Sequence, residues 1–273
     1  MTGRMTDLPP LGDVIRRFDL SARKSLGQHF LLDLNLCARI TRTAGDLKGV
    51  NVIEIGPGPG GLTRALLESG AEKVVAVERD SRCVAALGEL VGAYPGRLDI
   101  VEADALEIDV TALAPEPRRI VANLPYNIAT PLLLGWLRQI GSFEGLTLMF
   151  QKEVALRLAA KPGNKSYGRL SVITQWLAEV RHEFNVSNEA FTPPPKVASS
   201  VVSLIPRAEP LAPADWETLE KVTARAFGQR RKMLRSSLKP LGLDFDALGI
   251  EPTARAEELS VEQFCAIANF IGG

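Results

Sequence analysis

Asn123-Leu124-Pro125-Tyr126 closes a short apolar run, Arg119–Asn123, and sets an amide, a rigid turn and an aromatic face side by side. That combination suits one demanding reaction, alkylation of the exocyclic amine of a purine. Such an amine is planar, with its lone pair delocalised into the ring, and it attacks only when acceptors for its two N–H groups favour a more tetrahedral nitrogen. The Asn123 side-chain oxygen and a nearby backbone carbonyl can serve as those acceptors, while Pro125 fixes the backbone direction. Tyr126 offers a π-face to an extruded base, a contact worth ~1–3 kcal/mol. No strong base is required, so orientation and fixed dipoles would supply most of the barrier reduction. Taken alone, the four residues fit an ordinary turn with a packed tyrosine equally well.

A second stretch makes the chemical choice less even. Asn51-Val52-Ile53-Glu54-Ile55 runs into Gly56-Pro57-Gly58-Pro59-Gly60-Gly61, and Leu62–Leu67 then reads as helix. This is a buried strand, a tight turn and a helix start whose free amides face a ligand. Gly56, Gly58 and Gly61 satisfy G-x-G-x-x-G, and Glu78 falls where a ribose-binding acid is expected. The spacing serves a nicotinamide dinucleotide or S-adenosylmethionine alike.

The elements that must hold these residues alternate. Strands are expected at Asn51–Gly56, Lys73–Glu78, Leu98–Ala103, Arg119–Asn123 and Leu146–Phe150, with helices near Gly61–Ser69, Ser81–Leu90 and Ile128–Gln139. Continuous Val/Ile/Ala/Leu runs mark a parallel sheet covered on both faces. Ligands in such sheets bind beyond the carboxyl ends of strands, where strand order reverses. Gly56, Glu78, Asp104 and Asn123 sit at the ends of the first four strands. Asp33 is the expected cap of a helix reaching about Thr43. Helices near Lys152–Ala160 and Leu170–Ala178 precede strand-like Arg181–Val186 and Ser199–Ile205. The stiff loop Phe191-Thr192-Pro193-Pro194-Pro195-Lys196-Val197 joins those last two. Residues 1–20 read as a flexible arm, 21–206 as the main domain, and 207–273, beyond a Pro/Ala-rich boundary, as a helical domain.

The 273 residues carry 32 basic and 32 acidic side chains, a neutral total that conceals local faces. Lys221, Arg225, Arg230, Arg231, Lys232, Arg235 and Lys239 form an acid-free stretch, read as one basic helix. Lys152, Arg157, Lys161, Lys165 and Arg169 form another against Glu153 alone. Such faces fit a polyanion as well as they fit solvent. No apolar run approaches the ~20 residues of a membrane span. Cys37, Cys83 and Cys265 are scattered, so free buried thiols in a reducing cytoplasm are expected, with neither disulfide nor metal site. No zipper pattern asks for a dimer, and a monomer is expected.

Taken in order, Lys24-Ser25-Leu26-Gly27-Gln28-His29-Phe30-Leu31, Glu54-Ile55-Gly56-Pro57-Gly58-Pro59-Gly60, Val77-Glu78, Asp104-Ala105, Asn123-Leu124-Pro125-Tyr126 and Phe191-x-Pro-x-Pro-x-Val-x-Ser199 resemble the rRNA adenine N6-dimethyltransferases of the bacterial KsgA/RsmA type. The resemblance spans about Arg23 to the C-terminal end. It implies an α/β fold, a Rossmann-like class I S-adenosylmethionine-dependent methyltransferase sheet of seven mostly parallel strands, followed by a small all-α domain. It implies dimethylation of two adjacent adenosines in the 3′-terminal hairpin of 16S rRNA during late 30S assembly, with S-adenosylhomocysteine as product. By position, His29 and Leu31 would hold the methionine end of the cofactor, while Gly56 and Gly58 would line its turn. Glu78 would take the ribose hydroxyls, Asp104 the adenine amine, and Asn123 would also border the cofactor. Asn123, Leu124, Pro125 and Tyr126 would handle the target base, with Phe191 as a second stacking face. Arg230, Arg231, Lys232 and Arg235 would meet RNA phosphates. Many relatives carry Asn where this chain has His29. The alternatives are a large-subunit enzyme of the macrolide-resistance type, an RNA-binding assembly factor whose methylation is incidental, and a nicotinamide oxidoreductase suggested by glycine spacing alone.

Overall fold

The computed structural model describes residues 8–23 and 27–272; Lys24, Ser25 and Leu26 of the arm motif lie outside them. In chain order the elements are α1 (Leu11–Arg17), β1 (Phe30–Leu31), α2 (Leu34–Thr43), β2 (Asn51–Ile55), α3 (Gly61–Glu68), β3 (Lys73–Glu78), α4 (Ser81–Ala93), β4 (Leu98–Glu102), β5 (Arg118–Asn123), α5 (Ala129–Leu137) and β6 (Gly145–Gln151). They continue with α6 (Lys152–Leu158), α7 (Arg169–Leu177), β7 (Ala178–Val186), β8 (Phe191–Thr192), β9 (Ser199–Pro206), α8 (Trp216–Gly228), α9 (Leu234–Ser237) and α10 (Val261–Gly272).

Seven strands form one sheet in the order β4-β3-β2-β5-β6-β9-β7. The pairs β2–β3, β3–β4, β2–β5 and β5–β6 are parallel, and β9 runs antiparallel to β6. Every residue of β2 is buried, the polar Asn51 and Glu54 along with the apolar Val52, Ile53 and Ile55. The order reverses between β2 and β5, so the cleft that such sheets open at their carboxyl ends lies between the glycine turn and Asn123. Asp33 caps α2 as expected, its side chain accepting from the backbone N–H of Asn35 at 2.9 Å and of Leu36 at 3.1 Å.

Three expectations need correction. Within the stretch read as a flexible arm, residues 11–17 are helical, with Leu11 and Val14 buried. Val14 and Leu20 pack with Phe30, Cys83 and Ala86, and the Arg64 guanidinium donates to the Pro9 carbonyl at 2.7 Å. A short helix behind Pro9-Pro10 carries too few apolar repeats to announce itself. The stretch Lys221–Lys239 is not one helix: α8 stops at Gly228, a turn follows, and α9 begins at Leu234. The cause is tertiary, because Leu234 N donates to Ala254 O at 2.8 Å and Met233 bridges to Arg255.

The third correction concerns the boundary near residue 206. The chain divides into one unit of residues 1–152 and 182–205 and a second of 153–181 and 206–273. The segment 153–181 therefore leaves the main domain, because α7 packs on α8 and α10. The second unit has its own core around Leu219, Val222, Phe264 and Ile267. Among the described residues no helix is long and apolar enough to cross a membrane.

Candidate active site

In the first unit Gly27 to Phe30, a second arm that follows residues 1–20, and the carboxyl ends of β2, β3, β4 and β5 enclose one cleft. Its lining brings together His29, Gly56, Gly58, Glu78, Asp104, Asn123, Leu124, Pro125 and Tyr126. The segment Gly27–Phe30 lies over the glycine turn. Gly61, the first residue of α3, shows how tightly: a Cβ there would lie 2.4 Å from the Leu31 carbonyl oxygen of β1. Gly61→Ala is therefore expected to push β1 off the turn. The melting temperature should drop by about 4–8 °C, corresponding to roughly 2 kcal/mol of overpacking. A melt within 1 °C of the wild type would show that β1 is not held there.

Gly58 adopts φ 56°, in the left-handed region, and its N–H donates to Glu78 Oε2 at 3.0 Å. The other oxygen, Oε1, accepts from the backbone N–H of Arg79 at 2.8 Å and of Asp80 at 2.9 Å. Burial raises the Glu78 pKa, and the three backbone N–H groups oppose it. The carboxylate thus ties the end of β3 to the glycine turn while bordering the cleft. Asp104 accepts from Leu106 N at 3.0 Å and pairs with Arg79 at 2.8 Å. Nearby, Asp80 is held down to about pKa 2, chiefly by the Arg82 guanidinium, and accepts from Gln28 of the arm at 3.1 Å.

A smaller cavity adjoins the cleft between β1 and the glycine turn, lined among others by His29, Leu31, Gly56, Leu62 and Glu54. Leu31 lies here rather than in the main cleft. Glu54, 1% exposed, has no hydrogen-bond partner for Oε2 among the described residues. Burial pushes its pKa up to about 8; the Thr63 hydroxyl beside it lowers the value without satisfying hydrogen-bond geometry, and Glu78 raises it further. Within the motif Glu54–Gly60 the sequence assigns Glu54 no role; an acid inside an otherwise apolar strand is the signal that marks it. Glu78 borders the turn as an acid, Arg79 is held by Asp104, and the protonated Glu54 gains by ionising only when a cation lies beside it, so the lining suits a cation and disfavours a pyrophosphate. That charge pattern fits S-adenosylmethionine, with its sulfonium and ammonium, and speaks against the dinucleotide.

On the other side of the cleft, Asn123 Nδ2 donates to the His29 carbonyl at 3.3 Å, which leaves Oδ1 as the free acceptor. The backbone carbonyl of Asn123 would lie 3.9 Å from a Cβ built on Gly56, so the two motifs meet. The Tyr126 hydroxyl is 2.5 Å from Ser199 Oγ, and its ring stacks with that of His29 at 5.7 Å between centroids. His29 Nδ1 lies 2.8 Å from the Pro193 carbonyl, which only accepts, so Nδ1 carries the proton.

Phe191 does not reach the cleft. It is 2% exposed, paired with Leu31 across the β1–β8 ladder and packed in the core with Val186 and Val201. Its expected stacking face is covered. Arg230, Arg231, Lys232 and Arg235 belong to the second unit. Arg231, Lys232 and Arg235 are exposed, whereas the Arg230 guanidinium is engaged by Glu257 Oε2 at 3.0 Å and by the carbonyls of Lys165 and Tyr167, each at 2.9 Å.

Residues 19–272 match the model of the family described as ribosomal RNA adenine dimethylase. The chain is 68% identical over 267 residues to the ribosomal RNA small subunit methyltransferase A of Paramagnetospirillum magneticum, covering 97% of this chain and 95% of that one. It is 63% identical to the protein of the same name from Rhodospirillum rubrum, with 97% and 93% covered. Among solved structures, a dimethyladenosine transferase from Plasmodium falciparum superposes with a TM-score of 0.79 at 26% identity, covering 89% of this chain and 98% of that one. The 23S rRNA methyltransferase ErmE gives 0.70 at 29% identity, with 89% and 100% covered. The sheet is accordingly that of the class I S-adenosylmethionine-dependent methyltransferases, and the chain belongs to the ribosomal RNA adenine dimethylase family.

Proposed function

We propose that this chain dimethylates N6 of two adjacent adenosines in the 3′-terminal hairpin of small-subunit rRNA, acting on the 30S particle late in its assembly. One observation carries the reading: β2 and β5 are neighbours in parallel register, so the cofactor turn and Asn123 end at one cleft. S-adenosylmethionine supplies, when bound, an electrophilic methyl group on a cationic sulfur. In this reading Gly56 and Gly58 give its turn, Glu78 takes the ribose hydroxyls and Asp104 the adenine amine. His29 and Leu31 border the methionine end, with Glu54 facing the same place.

The chain's own part in the transfer is positional. Asn123 Oδ1, its amide orientation set by the His29 carbonyl, accepts one N–H of the target amine, and a backbone carbonyl beside it accepts the other. The nitrogen lone pair is then aimed in line with the sulfur–carbon bond. Tyr126, tethered through Ser199, supports the extruded base. At each transfer the nitrogen gains a methyl and sheds one N–H proton to water, and the second transfer uses the remaining N–H.

The experiment is incubation of unmodified small subunits and, separately, large subunits with labelled cofactor, followed by nucleoside analysis. N6,N6-Dimethyladenosine from the small subunit alone is the expected product. Label confined to the large subunit would overturn the choice of substrate, in favour of the reaction named for ErmE.

A further inference from the structure

The second unit holds basic residues from two stretches, and hydrogen bonds spanning 63 and 65 positions in sequence bring them to one place. The Arg230 guanidinium donates to the carbonyls of Lys165 and Tyr167, while Glu257, its ion-pair partner, accepts from Gly163 N at 2.7 Å through its own carbonyl. The loop between α6 and α7 is therefore held within one arginine side chain of the turn between α8 and α9. The loop is also ordered from within. Tyr167 is fully buried and meets the Phe227 ring edge-on at 5.9 Å. Ser166 N donates to Asn164 Oδ1 at 2.8 Å, Tyr167 N to Asn164 O at 2.9 Å, and Gly163 takes φ 82°.

Lys161 and Lys165 of that loop are exposed, as are Arg231, Lys232 and Arg235 on the turn. Arg255 joins them, because its segment bridges to Met233 and accepts from Leu234 N and Arg235 N through Ala254 and Pro252. The nearby acids each hold a partner within the unit, and Glu251 also faces Arg235 electrostatically. Glu257 pairs with Arg230, Glu258 accepts from Arg255 N at 2.6 Å, and Glu251 caps Thr253.

We propose that the α6–α7 loop and the α8–α9 turn together form a single pre-ordered surface for the phosphodiester backbone of RNA. Lys161, Lys165, Arg231, Lys232, Arg235 and Arg255 make the contacts on it. Arg230 is the clip that joins its halves rather than a phosphate ligand. A surface fixed before binding loses less side-chain and loop freedom on docking. The inference rests on the proposed RNA substrate and extends it to a loop whose lysines otherwise read as solvated charge.

The test measures binding of the full chain to transcribed small-subunit rRNA between 50 and 300 mM KCl. The wild type, Lys161→Ala/Lys165→Ala and Arg231→Ala/Lys232→Ala are compared, with a thermal melt of each. Both double variants should melt like the wild type. Each should flatten the slope of log K against log salt by about 1.5, with roughly tenfold weaker binding at 100 mM. A loop variant that keeps the full slope while the turn variant loses it overturns the composite surface. The two readings fail separately. A wild type that makes no dimethyladenosine, but whose loop variant flattens the slope, keeps the surface and loses the reaction; an active enzyme with an unchanged loop-variant slope does the reverse.

Discussion

Asn123→Ala should lower the single-turnover rate of methyl transfer by roughly 10²–10³-fold, the range seen when one preorganised hydrogen-bonding group is removed from a reacting centre. The reason lies in the division of labour within one amide. Nδ2 is committed to the His29 carbonyl, so Oδ1 is the group left to accept from the amine. Alanine removes that acceptor and the tether to the arm together. Cofactor affinity should change by less than about threefold, because the main cofactor contacts proposed here lie on β2, β3 and β4, and RNA binding, governed by phosphate contacts, should be retained. Asn123→Asp separates the two duties: it restores an acceptor but sets a carboxylate oxygen against the His29 carbonyl, and intermediate activity is expected. Rates come from labelled cofactor on unmodified small subunits, and affinities from calorimetric titration. Full activity in the alanine variant would remove Asn123 from the mechanism. Lost ribosomal-particle binding would instead make it a structural residue.

How much of this was legible beforehand varied with the range of the interaction. Strands β2 to β6 were readable because a parallel strand covered on both faces needs a largely apolar run, and Val74–Val77 supplies one unbroken while Val52–Ile55 is interrupted by Glu54 alone. The cleft followed, since its residues sit at strand ends and the reversal of strand order places it. Residues whose roles depend on distant backbone groups were not readable. Nothing near Arg230 signals that its acceptors are the carbonyls of Lys165 and Tyr167, so it read as a phosphate ligand like its neighbours. Phe191 read as a stacking face because proline-rich surroundings suggest a surface, whereas a two-residue ladder with β1 turns it inward. For His29, whose position by the cofactor turn is what the sequence signals, two further roles stay hidden there: its ring stacks on Tyr126 and its carbonyl orients Asn123.

Glu54→Gln should make the melting temperature of the ligand-free chain less dependent on pH, with the largest gain above pH 8. The Glu54 carboxyl has an ordinary value of 4.5 when unfolded and about 8 when folded. Below pH 4.5 both states hold the proton and the group has no effect. Between 4.5 and 8 the folded chain keeps a proton that the unfolded chain has released, so unfolding releases a proton and rising pH favours it. Stability therefore falls through this window, by at most about 1.4 kcal/mol per pH unit, and levels off above pH 8, where both states are ionised. At about 2–4 °C per kcal/mol for a chain of this size, the difference between wild type and variant should approach at most about 10–20 °C by pH 8.5 and vanish near pH 4.5. A cationic ligand beside the carboxyl reverses the preference. S-adenosylmethionine should bind wild type more tightly as pH rises from 6 to 8, releasing a proton, and the glutamine variant should lose that dependence. Calorimetry in two buffers of different ionisation enthalpy reads the released proton directly. Identical pH profiles for the two proteins, in melting and in titration, would mean that Glu54 is ionised throughout, and the account of the buried acid would fail.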